Sequence, residues 1–405
     1  MGKYRSAACV ACLLLLAPLL VRSARMLPAD SRPLVAEKYA GWSGVLRLWV
    51  EEDCPVGSGN LSIWLNGCIA RFEKRHPGVY VQPQAVDADA LSDFLDSGIR
   101  PPDLLLFSPG TLDEPEGLME LDVPKGLRQE LVHCGRWSGG TYAVPVALGG
   151  YLWAWNAAQI DGVPNTWRDS EVSLAVPPAD DKHCFGAALL ALCSGRYSEG
   201  EKAKGEVELP GVDLGLGGQA TPAPTIAPTG TLPCRLPEGF DFDVGAFQRF
   251  CNGEVCATVV TPREIRRLQR LSEQGKGPDW RLSPGSAAFT DQLLCLGIVE
   301  KEDGQAELCR EFLRCLLEDE SQTALSAAGA FPVTDAPSGY GAGDALAVLD
   351  AALRRPGLVA VNCMDEGWPE TAERIVRKFL ANEGEAPELW RALAERLPEN
   401  PNIHS

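Results

Sequence analysis

Three consecutive carboxylates, Glu51, Glu52 and Asp53, directly follow a predicted strand and are the first residues whose types could do chemistry. A pair of carboxylates can serve glycoside hydrolysis, and a cluster of them favours a cationic ligand such as a polyamine. The chain holds 55 acidic residues against 37 basic ones, so acid pairs occur throughout it. Carboxylates alone therefore do not indicate an enzyme.

Motifs of the common hydrolases, metalloproteases and nucleotide-binding proteins do not occur in the sequence. GxSxG, HExxH and Walker-type loops are absent, and Gly215-x-Gly217 has no strand before it, which argues against a dinucleotide loop. No Cys/His spacing suits zinc outside the first 24 residues, and the chain has four histidines. We therefore expect no catalytic residues, no metal and no cofactor.

Alternating strands and helices must position the three carboxylates. Strands are predicted at 44–50, 79–86 and 101–110. Between the first two, apolar residues from Leu61 to Phe72 recur at helical spacing, and a short helix is predicted at 90–97. This order implies parallel βαβ units with right-handed crossovers.

Two loops should lie at the ligand-binding edge of that sheet. Ligands of open parallel sheets bind at the carboxyl ends of strands. The loops in that position are Glu51–Asn60 and Ser108–Asp113.

The stretch YAVPVALGGYLWAWN, residues 142–156, is uncharged and carries four aromatic rings around Gly149 and Gly150. We interpret it as a buried strand, a glycine turn and a second strand. Further on, a helix, turn and strand are predicted in 242–261, and helical spacing returns from Cys309 to Leu316. Residues 198–238, rich in Gly, Pro and Thr, are predicted to be an insertion.

Length and charge indicate a soluble two-part protein, and the N-terminal segment indicates that it leaves the cytoplasm. A length of 405 residues exceeds one ordinary core, and a net charge of −18 argues against a nucleic-acid partner. Lys3 and Arg5 precede a sixteen-residue uncharged run. Residues 1–24 are therefore predicted to be a signal peptide or an N-terminal membrane anchor, and the protein is expected to be extracellular, either secreted or anchored.

The fourteen cysteines leave their bonding open. In an exported protein they can form disulfides, but a chain with its own core does not require them. Cys68, Cys309 and Cys315 lie on apolar helical faces and are predicted to be core residues. Cys251 and Cys256 are spaced for a short disulfide or for none.

Ordered along the chain, several segments resemble the extracellular solute-binding proteins of ABC importers, in the branch similar to maltose-binding protein. They span roughly 44–380 and are LRLWV, FEKRHPGVYV, PPDLLLFSPGTL, YAVPVALGGYLWAWN, PNTWRD, FQRFCNGEVCATVV, FTDQLLCLGIV and AELCREFLRCLLEDESQTALSAAGAFPVT. The sequence departs from that family in its missing lipobox, its insertion and its many cysteines.

The resemblance implies an α/β, two-lobe, periplasmic-binding-protein-like type II fold, with mostly parallel sheets joined by interlobe hinge strands. Lobe one would comprise 44–147 plus 291–331, and lobe two 150–287 plus 334–400. The chain would cross between the lobes near 146–151, 287–293 and 330–334, and Gly149 and Gly150 would form the hinge.

The resemblance also implies a cleft between the lobes for a small solute, expected to be a sugar, held by rings and polar groups. The candidate ligand contacts, each of which could instead be a packed or solvated residue, are Glu51, Glu52, Asp53, Ser58, Ser108, Thr111, Tyr151, Trp153, Asp180, Asp181, Phe185, Gly329, Phe331 and Trp368.

Function would follow from hinge closure over the solute and delivery to an ABC permease in the membrane, by a monomer with no nucleic-acid partner. Two alternatives stay open. One is a receptor that presents its ligand to a membrane sensor, and the other is a secreted enzyme that acts on glycosides.

Overall fold

A computed structural model describes residues 42–374, apart from 60, 93–100, 113, 161–172, 181–182, 189–241, 285–287, 301–302, 356–357, 365–367, 369–371 and 373. The predicted leader 1–24, the predicted insertion 198–238 and candidate Asp181 lie outside these residues, as does 375–400 of predicted lobe two. Among the described residues, no helix has the length and apolar character needed to cross a membrane.

The described strands and helices follow the predicted order. The strands are Gly44–Glu51 (β1), Val79–Val86 (β2), Leu104–Phe107 (β3), Arg136–Trp137 (β4), Gly140–Thr141 (β5), Ala143–Leu148 (β6), Leu152–Asn156 (β7), Ala257–Val260 (β8), Trp280–Ser283 (β9), Phe289–Thr290 (β10), Leu293–Ile298 (β11) and Val359–Ala360 (β12). The helices are Leu61–Arg75 (α1), Ala88–Ser92 (α2), Ala246–Cys251 (α3), Pro262–Glu273 (α4), Asp303–Leu317 (α5), Asp319–Thr323 (α6) and Leu346–Leu353 (α7), with 3₁₀ helices at Gln129–Gly135 and Ala324–Ala328.

The larger sheet has five strands in the order β2-β1-β3-β11-β6. Strand β1 pairs in parallel with β2 and β3, as the βαβ pattern predicts. Strand β11 is antiparallel to both of its neighbours, so β6 runs in the same direction as β1. Four of the five strands are therefore parallel, and the reversed strand is one that arrives from a distant part of the chain.

In a second sheet, the central strand β7 is reversed relative to its neighbours, as β11 is in the larger sheet. Its order is β8-β7-β9, and β7 pairs antiparallel with both neighbours. A parallel bridge from Leu174 to Ala257 extends this sheet beyond β8. Strand β7 comes directly after β6, so the chain passes from the larger sheet to the second one between them. The reversed strand of the second sheet therefore follows this passage.

The core confirms the predicted helical faces. Helix α1 buries Trp64, Leu65, Cys68, Ile69 and Phe72, which are the predicted stripe except for Leu61, which is half-buried at the start of the helix. Phe72 meets Phe312 of α5 edge to face, with ring centroids 5.2 Å apart. Cys68, Cys309 and Cys315 are buried, as expected of small core residues. Packing of α1 against α5 covers one face of the five-stranded sheet.

Helix α4 combines a buried apolar face with a basic outer face. Thr261 and Glu264 form a capping box at its start, with the Thr261 N–H donating to Glu264 at 2.7 Å. Ile265 and Leu268 are buried. Arg266 binds both carboxylate oxygens of Asp344 at 2.9 Å, which ties the helix to the loop before α7.

The two sheets meet where three chain segments run side by side. The end of β6 pairs with the start of β11, and Leu148 exchanges two backbone hydrogen bonds with Phe331, at 2.9 and 3.2 Å. The N–H of Gly149 donates to the carbonyl of Gln292 at 2.7 Å. Leu148, Gln292 and Phe331 lie in the three stretches predicted to cross between lobes, and the crossings themselves stay a prediction.

Candidate functional site

Glu51 ends β1 and its carboxylate is turned into the protein. Only 3% of Glu51 is exposed, and one carboxylate oxygen accepts hydrogen bonds from the Ser108 N–H and from its hydroxyl, both at 2.6 Å. Ser108 follows β3, so the pair joins the carboxyl ends of two adjacent parallel strands. This geometry favours a role for Glu51 and Ser108 in fixing the loops of the site.

In the rest of the loop after β1, some residues are exposed to solvent and one binds the 3₁₀ helix Ala324–Ala328. Glu52 and Asp53 are exposed, and Asp53 has a left-handed backbone with φ of 56°. The Ser58 N–H donates to the carbonyl of Ala328 at 2.8 Å. Gly329, with φ of 72°, caps this 3₁₀ helix, and a side chain there would meet Ser58. The structure therefore brings Ser58 and Gly329 together.

Thr111 lies in the loop after β3 and carries an unusual hydroxyl. Thr111 is 6% exposed, and its Oγ1 is buried without a hydrogen-bond partner in the part of the chain that the structure describes. A buried hydroxyl without a partner costs about 1–3 kcal/mol. A ligand oxygen could remove that cost.

Tyr151 is held by a carboxylate that was not among the sequence candidates. Its hydroxyl donates to Asp291 Oδ1 at 2.6 Å, and Asp291 Oδ2 accepts from the Cys184 N–H at 2.7 Å. Burial, followed by the nearby Asp291 charge, raises the pKa of Tyr151 well above its ordinary value. Burial likewise raises the pKa of Asp291. Tyr151 is 4% exposed, which favours a positioning role for its hydroxyl.

Aromatic rings gather around Tyr151. Phe185 meets it edge to face at 5.5 Å, and Phe289 stacks on it at 6.1 Å. Trp368 lies 6.1 Å from Phe289, is 2% exposed, and has a buried indole N–H without a partner. Trp153, two residues after Tyr151, is 1% exposed within β7. Tyr151, Trp153, Phe185 and Trp368 thus belong to one apolar cluster, in which the Trp368 indole N–H has no hydrogen-bond partner among the described residues.

His183 lies beside this cluster among acidic groups. Its Nδ1 is 3.0 Å from Asp180 Oδ1, and its ring centroid is 5.5 Å from that of Phe185. Burial opposes protonation, yet the hydrogen bond to Asp180 and the charges of Asp291, Asp180 and Glu264 raise the pKa of His183 above 6.5. Asp180 itself is exposed. A protonated His183 would partly neutralise these carboxylates.

Gly149 and Gly150 are glycines because neighbouring side chains approach them closely. A Cβ on Gly149 would lie 3.0 Å from Gln292 Cβ and closer still to its Oε1, and one on Gly150 would lie 2.8 Å from Leu353 Cδ2. Neither has a positive φ, so a left-handed conformation is not the reason. On the third segment of the junction, Phe331 is 1% exposed, and its ring centroid lies 5.1 Å from that of Tyr340.

The described contacts bring some of the candidates together. Glu51 binds Ser108, the Ser108 carbonyl accepts from the Thr111 N–H at 3.3 Å, and Ser58 lies beside Gly329. The rings of Phe185 and Trp368 belong to the cluster around Tyr151. Glu52, Asp53 and Asp180 are instead exposed, and Phe331 packs against Tyr340. Asp291, Gln292 and His183 were missed, although Asp291 and Gln292 are the only two consecutive strongly polar residues within the otherwise apolar run 285–299. Within the described ranges, no group of His, Cys, Asp or Glu is arranged to hold a metal ion.

Comparison with solved structures identifies the fold. The chain is similar to the GacH receptor of Streptomyces glaucescens, with a TM-score of 0.54 and 16% identity over 88% of this chain and 99% of that chain. It is similar to the maltodextrin-binding protein MalE1 of L. casei, with a TM-score of 0.55 and 15% identity over 90% and 100% of the two chains.

A family 1 extracellular solute-binding protein of Bifidobacterium longum subsp. infantis gives a TM-score of 0.57 and 16% identity over 88% and 99% of the chains. No family model matches the sequence, and no curated protein matches it either. The protein therefore has the predicted two-lobe, type II periplasmic-binding-protein fold. The sequence identity to these three structures is 15–16%, so the similarity is one of fold.

Proposed function

We propose that this protein is an extracellular solute-binding protein that captures a carbohydrate between its lobes and delivers it to an ABC permease. The fold supports this function, because the similar structures include a maltodextrin-binding protein, a galacto-N-biose/lacto-N-biose I-binding protein of an ABC transporter, and the GacH receptor studied with acarbose. The match extends over nearly the whole of each of those chains.

The observation that carries the proposal is the pair of unsatisfied buried groups at Thr111 and Trp368. Both residues were candidate ligand contacts from sequence alone. The Thr111 hydroxyl can donate or accept a hydrogen bond, and the Trp368 indole N–H can donate one. A sugar offers hydroxyls that would satisfy both, along with C–H faces for the neighbouring rings.

The lobes are proposed to comprise 44–147 with 291–331, and 150–287 with 334–400. The hydrogen bonds that join Leu148 to Phe331 and Gly149 to Gln292 support a shared junction of three crossings. A few backbone torsions in such a junction can absorb a rotation of one lobe against the other. Gly149 and Gly150 are the proposed hinge.

Ligand capture would shift the protein towards a closed arrangement. A ligand that contacts both lobes binds the closed arrangement more tightly than the open one, and this difference drives closure. The closed protein would then dock on the permease as a monomer. Export by residues 1–24, with or without retention as an anchor, would place it outside the cytoplasm.

Two other functions make different predictions. A receptor for a membrane sensor would bind the same ligand but would function without a permease. A glycoside-active enzyme would turn its ligand over. The solved structures of similar fold are binding proteins, and this observation favours neither alternative.

A thermal-shift screen with maltotriose, lactose, spermidine and a tripeptide tests the proposal. A sugar at 100 times its Kd should add about 2.7 kcal/mol of stability, seen as a higher Tm. Product analysis over the same period should find the sugar intact. A shift with spermidine alone would indicate a cationic ligand, and consumption of the sugar would indicate an enzyme.

Small-angle scattering tests closure separately. With the stabilising sugar present, the radius of gyration should fall relative to the free protein. An unchanged radius at saturating sugar would retain the binding function and reject hinge closure.

A further inference from the structure

Helix α4 concentrates positive charge in a protein that is acidic as a whole. Its twelve residues, Pro262–Glu273, include four arginines and two glutamates, and the exposed Lys276 follows in the next turn. The whole chain has a net charge of −18. The local charge of this helix is therefore opposite in sign to that of the chain.

Three of the four arginines face solvent along one side of the helix. Arg263, Arg267 and Arg270 are exposed, and their spacing of four and three residues places them on the same face. In the described part of the chain, Arg266 is the arginine of α4 that forms an ion pair, with Asp344 at 2.9 Å, and the other three form none. These three, the arginine stripe, are thus available to an external anion.

The two glutamates of α4 leave the arginine stripe positive. Glu264 is half-buried and accepts the Thr261 N–H at 2.7 Å within the capping box. Glu273 is the last residue of the helix, and Lys276 follows it. The helix therefore keeps a net positive charge on its outer face.

Helix α3 contacts the arginine stripe and adds an exposed apolar residue near it. The Arg267 guanidinium lies over the Phe247 ring, 5.0 Å from its centroid, and donates to Gln248 Oε1 at 3.3 Å. Val244 lies three residues before Phe247, in the turn that leads into α3, and is 87% exposed. Positive charge together with an exposed apolar side chain is typical of elements that lie on a membrane surface.

The carboxylates on either side of α3 are already paired with a cation. Asp243 and Glu254 both bind Arg249, at 2.7 and 3.5 Å. Their repulsion of an anionic surface is therefore partly cancelled.

We propose that the arginine stripe, with Val244 beside it, docks the protein on the anionic phospholipid headgroups of a membrane surface. Guanidinium groups form paired hydrogen bonds with phosphate oxygens. Because the rest of this acidic chain is repelled by such a surface, the contact would also orient the protein on the membrane. It depends on the proposed extracellular location and is independent of which ligand the protein binds.

A phospholipid surface is favoured over an acidic protein as the partner. Residues 1–24 are predicted to be a signal peptide or a membrane anchor, and either would bring the folded chain to a membrane. Headgroup phosphates are the anions that cover such a surface, and the exposed Val244 suits the boundary between headgroups and acyl chains.

Cosedimentation of the full chain with vesicles tests the proposal. The protein should bind vesicles of equal parts phosphatidylglycerol and phosphatidylcholine more tightly than vesicles of phosphatidylcholine alone. The difference should shrink as salt rises towards about 0.15 M, where screening acts over about 8 Å. Equal binding to the two kinds of vesicle at low ionic strength would overturn the proposal.

Replacing the arginine stripe should remove this preference. The triple variant Arg263→Gln, Arg267→Gln and Arg270→Gln should bind the anionic vesicles about 100-fold more weakly, since each basic residue near such a surface contributes about fivefold. The variant should fold, because the buried face of α4 at Ile265 and Leu268 is unchanged. Unreduced binding by a folded triple variant would overturn the proposal.

A second triple variant controls for net charge. Arg75→Gln, Arg310→Gln and Arg314→Gln remove the same charge from arginines of α1 and α5 that are already paired with glutamates. This variant should bind the anionic vesicles nearly as tightly as the wild type. An equal loss in the two triple variants would mean that net charge alone determines binding, and the docking surface would be rejected.

Val244→Ser tests the apolar part of the docking surface. It should weaken vesicle binding by a factor that salt leaves unchanged, because an apolar contact is not screened. Ile63→Ser is the matched control, since Ile63 is 64% exposed on α1, and it should bind as the wild type does. Equal affinities of the two variants would remove Val244 from the docking surface.

Intact bacterial membranes distinguish lipid from protein as the partner. Vesicles made from the extracted lipids should bind the wild type as tightly as the membranes do. Binding that needs the arginine stripe but occurs only with intact membranes would identify an acidic protein as the partner and overturn the lipid proposal.

The sugar-induced rise in Tm separates docking from solute binding. Both triple variants should show the rise found for the wild type, because the arginine stripe is not among the proposed ligand contacts. A protein that binds anionic vesicles through the stripe but responds to no sugar would support docking and reject the proposed function alone.

Discussion

The hydroxyl of Tyr151 donates to the carboxylate of Asp291 at 2.6 Å, and this bond joins the first predicted crossing to the second. The other oxygen of Asp291 receives the Cys184 N–H at 2.7 Å, at the start of the helical residues 185–188. One buried carboxylate therefore couples the two segments predicted to cross between lobes to the helical residues 185–188. Loss of the Tyr151 hydroxyl or of the Cys184 N–H would leave one oxygen of the Asp291 carboxylate without its hydrogen-bond donor.

Tyr151→Phe should destabilise the protein by about 1–3 kcal/mol, because Asp291 would retain a buried oxygen without its donor. Urea unfolding followed by circular dichroism measures the loss. Tyr80→Phe is the matched control, since Tyr80 is 58% exposed and should change stability little. Equal stability of the Tyr151 variant and the wild type would show that the hydrogen bond makes no net contribution.

Thr111→Val removes the unpaired hydroxyl while retaining the shape of the side chain. If a ligand satisfies that hydroxyl, the variant should fold with equal or greater stability and bind the sugar about tenfold more weakly. Titration calorimetry gives the affinity. Thr258→Val is a close control, because Thr258 in β8 also carries a buried hydroxyl without a partner. A loss of affinity in both variants would remove the special role of Thr111.

Trp368→Phe keeps an apolar ring beside Phe289 and removes the unpaired indole N–H. We expect weaker sugar binding with little change in Tm, because no protein hydrogen bond is lost. Trp280→Phe should behave in the opposite way, since the Trp280 N–H donates to Ser272 at 2.7 Å. It should lower stability and leave affinity unchanged. A Trp368 variant with unaltered affinity would remove this residue from the proposed site.

The sequence predicted the elements well because their patterns are local. The α1 stripe from Trp64 to Phe72 and the strand at 79–86 follow from side-chain periodicity, and Gly329 ends its helix as a left-handed cap should. The pairing of Tyr151 with Asp291 could not be predicted, because these residues meet only through the sheet junction. Glu51 shows the same limit, since its partner Ser108 is set by strand pairing.

Gly149→Ala should destabilise the protein by about 1–3 kcal/mol, because the added methyl would overlap the buried Gln292 side chain. Gln292→Ala in the same chain should recover part of that loss, and a double-mutant cycle from urea unfolding gives the coupling energy. Gly67→Ala on the exposed face of α1 meets no neighbour within 4 Å and should gain about 1 kcal/mol.

Affinity in the Gly149 variants tests the hinge. If Gly149 contributes flexibility as well as space, the double variant should recover stability and still bind the sugar more weakly than wild type. Full recovery of both stability and sugar affinity would mean that Gly149 matters only for packing, and the hinge would then lie elsewhere in the junction.

The pH dependence of stability should report on His183. Its pKa is raised in the folded protein, so its stabilising contribution is fully present below about pH 6.5, the unfolded value, and is lost as pH rises through the folded pKa. Burial lowers the pKa of His133 in the folded protein. The stability that comes from keeping His133 neutral is therefore present above about pH 6.5 and is lost as pH falls through the folded pKa. The free energy of unfolding should therefore decline as pH rises above about 6.5 because of His183.

His183→Gln should flatten that decline, since the three carboxylates that favour protonation, Asp180, Asp291 and Glu264, would then face an uncharged side chain. His133→Gln is the control and should keep the decline while changing the slope below about pH 6.5. Urea unfolding across this range for the wild type and both variants gives the comparison. The same slope above pH 6.5 in wild type and His183→Gln would mean that another group binds the proton, and Glu264, whose pKa burial raises, would be the next residue to test.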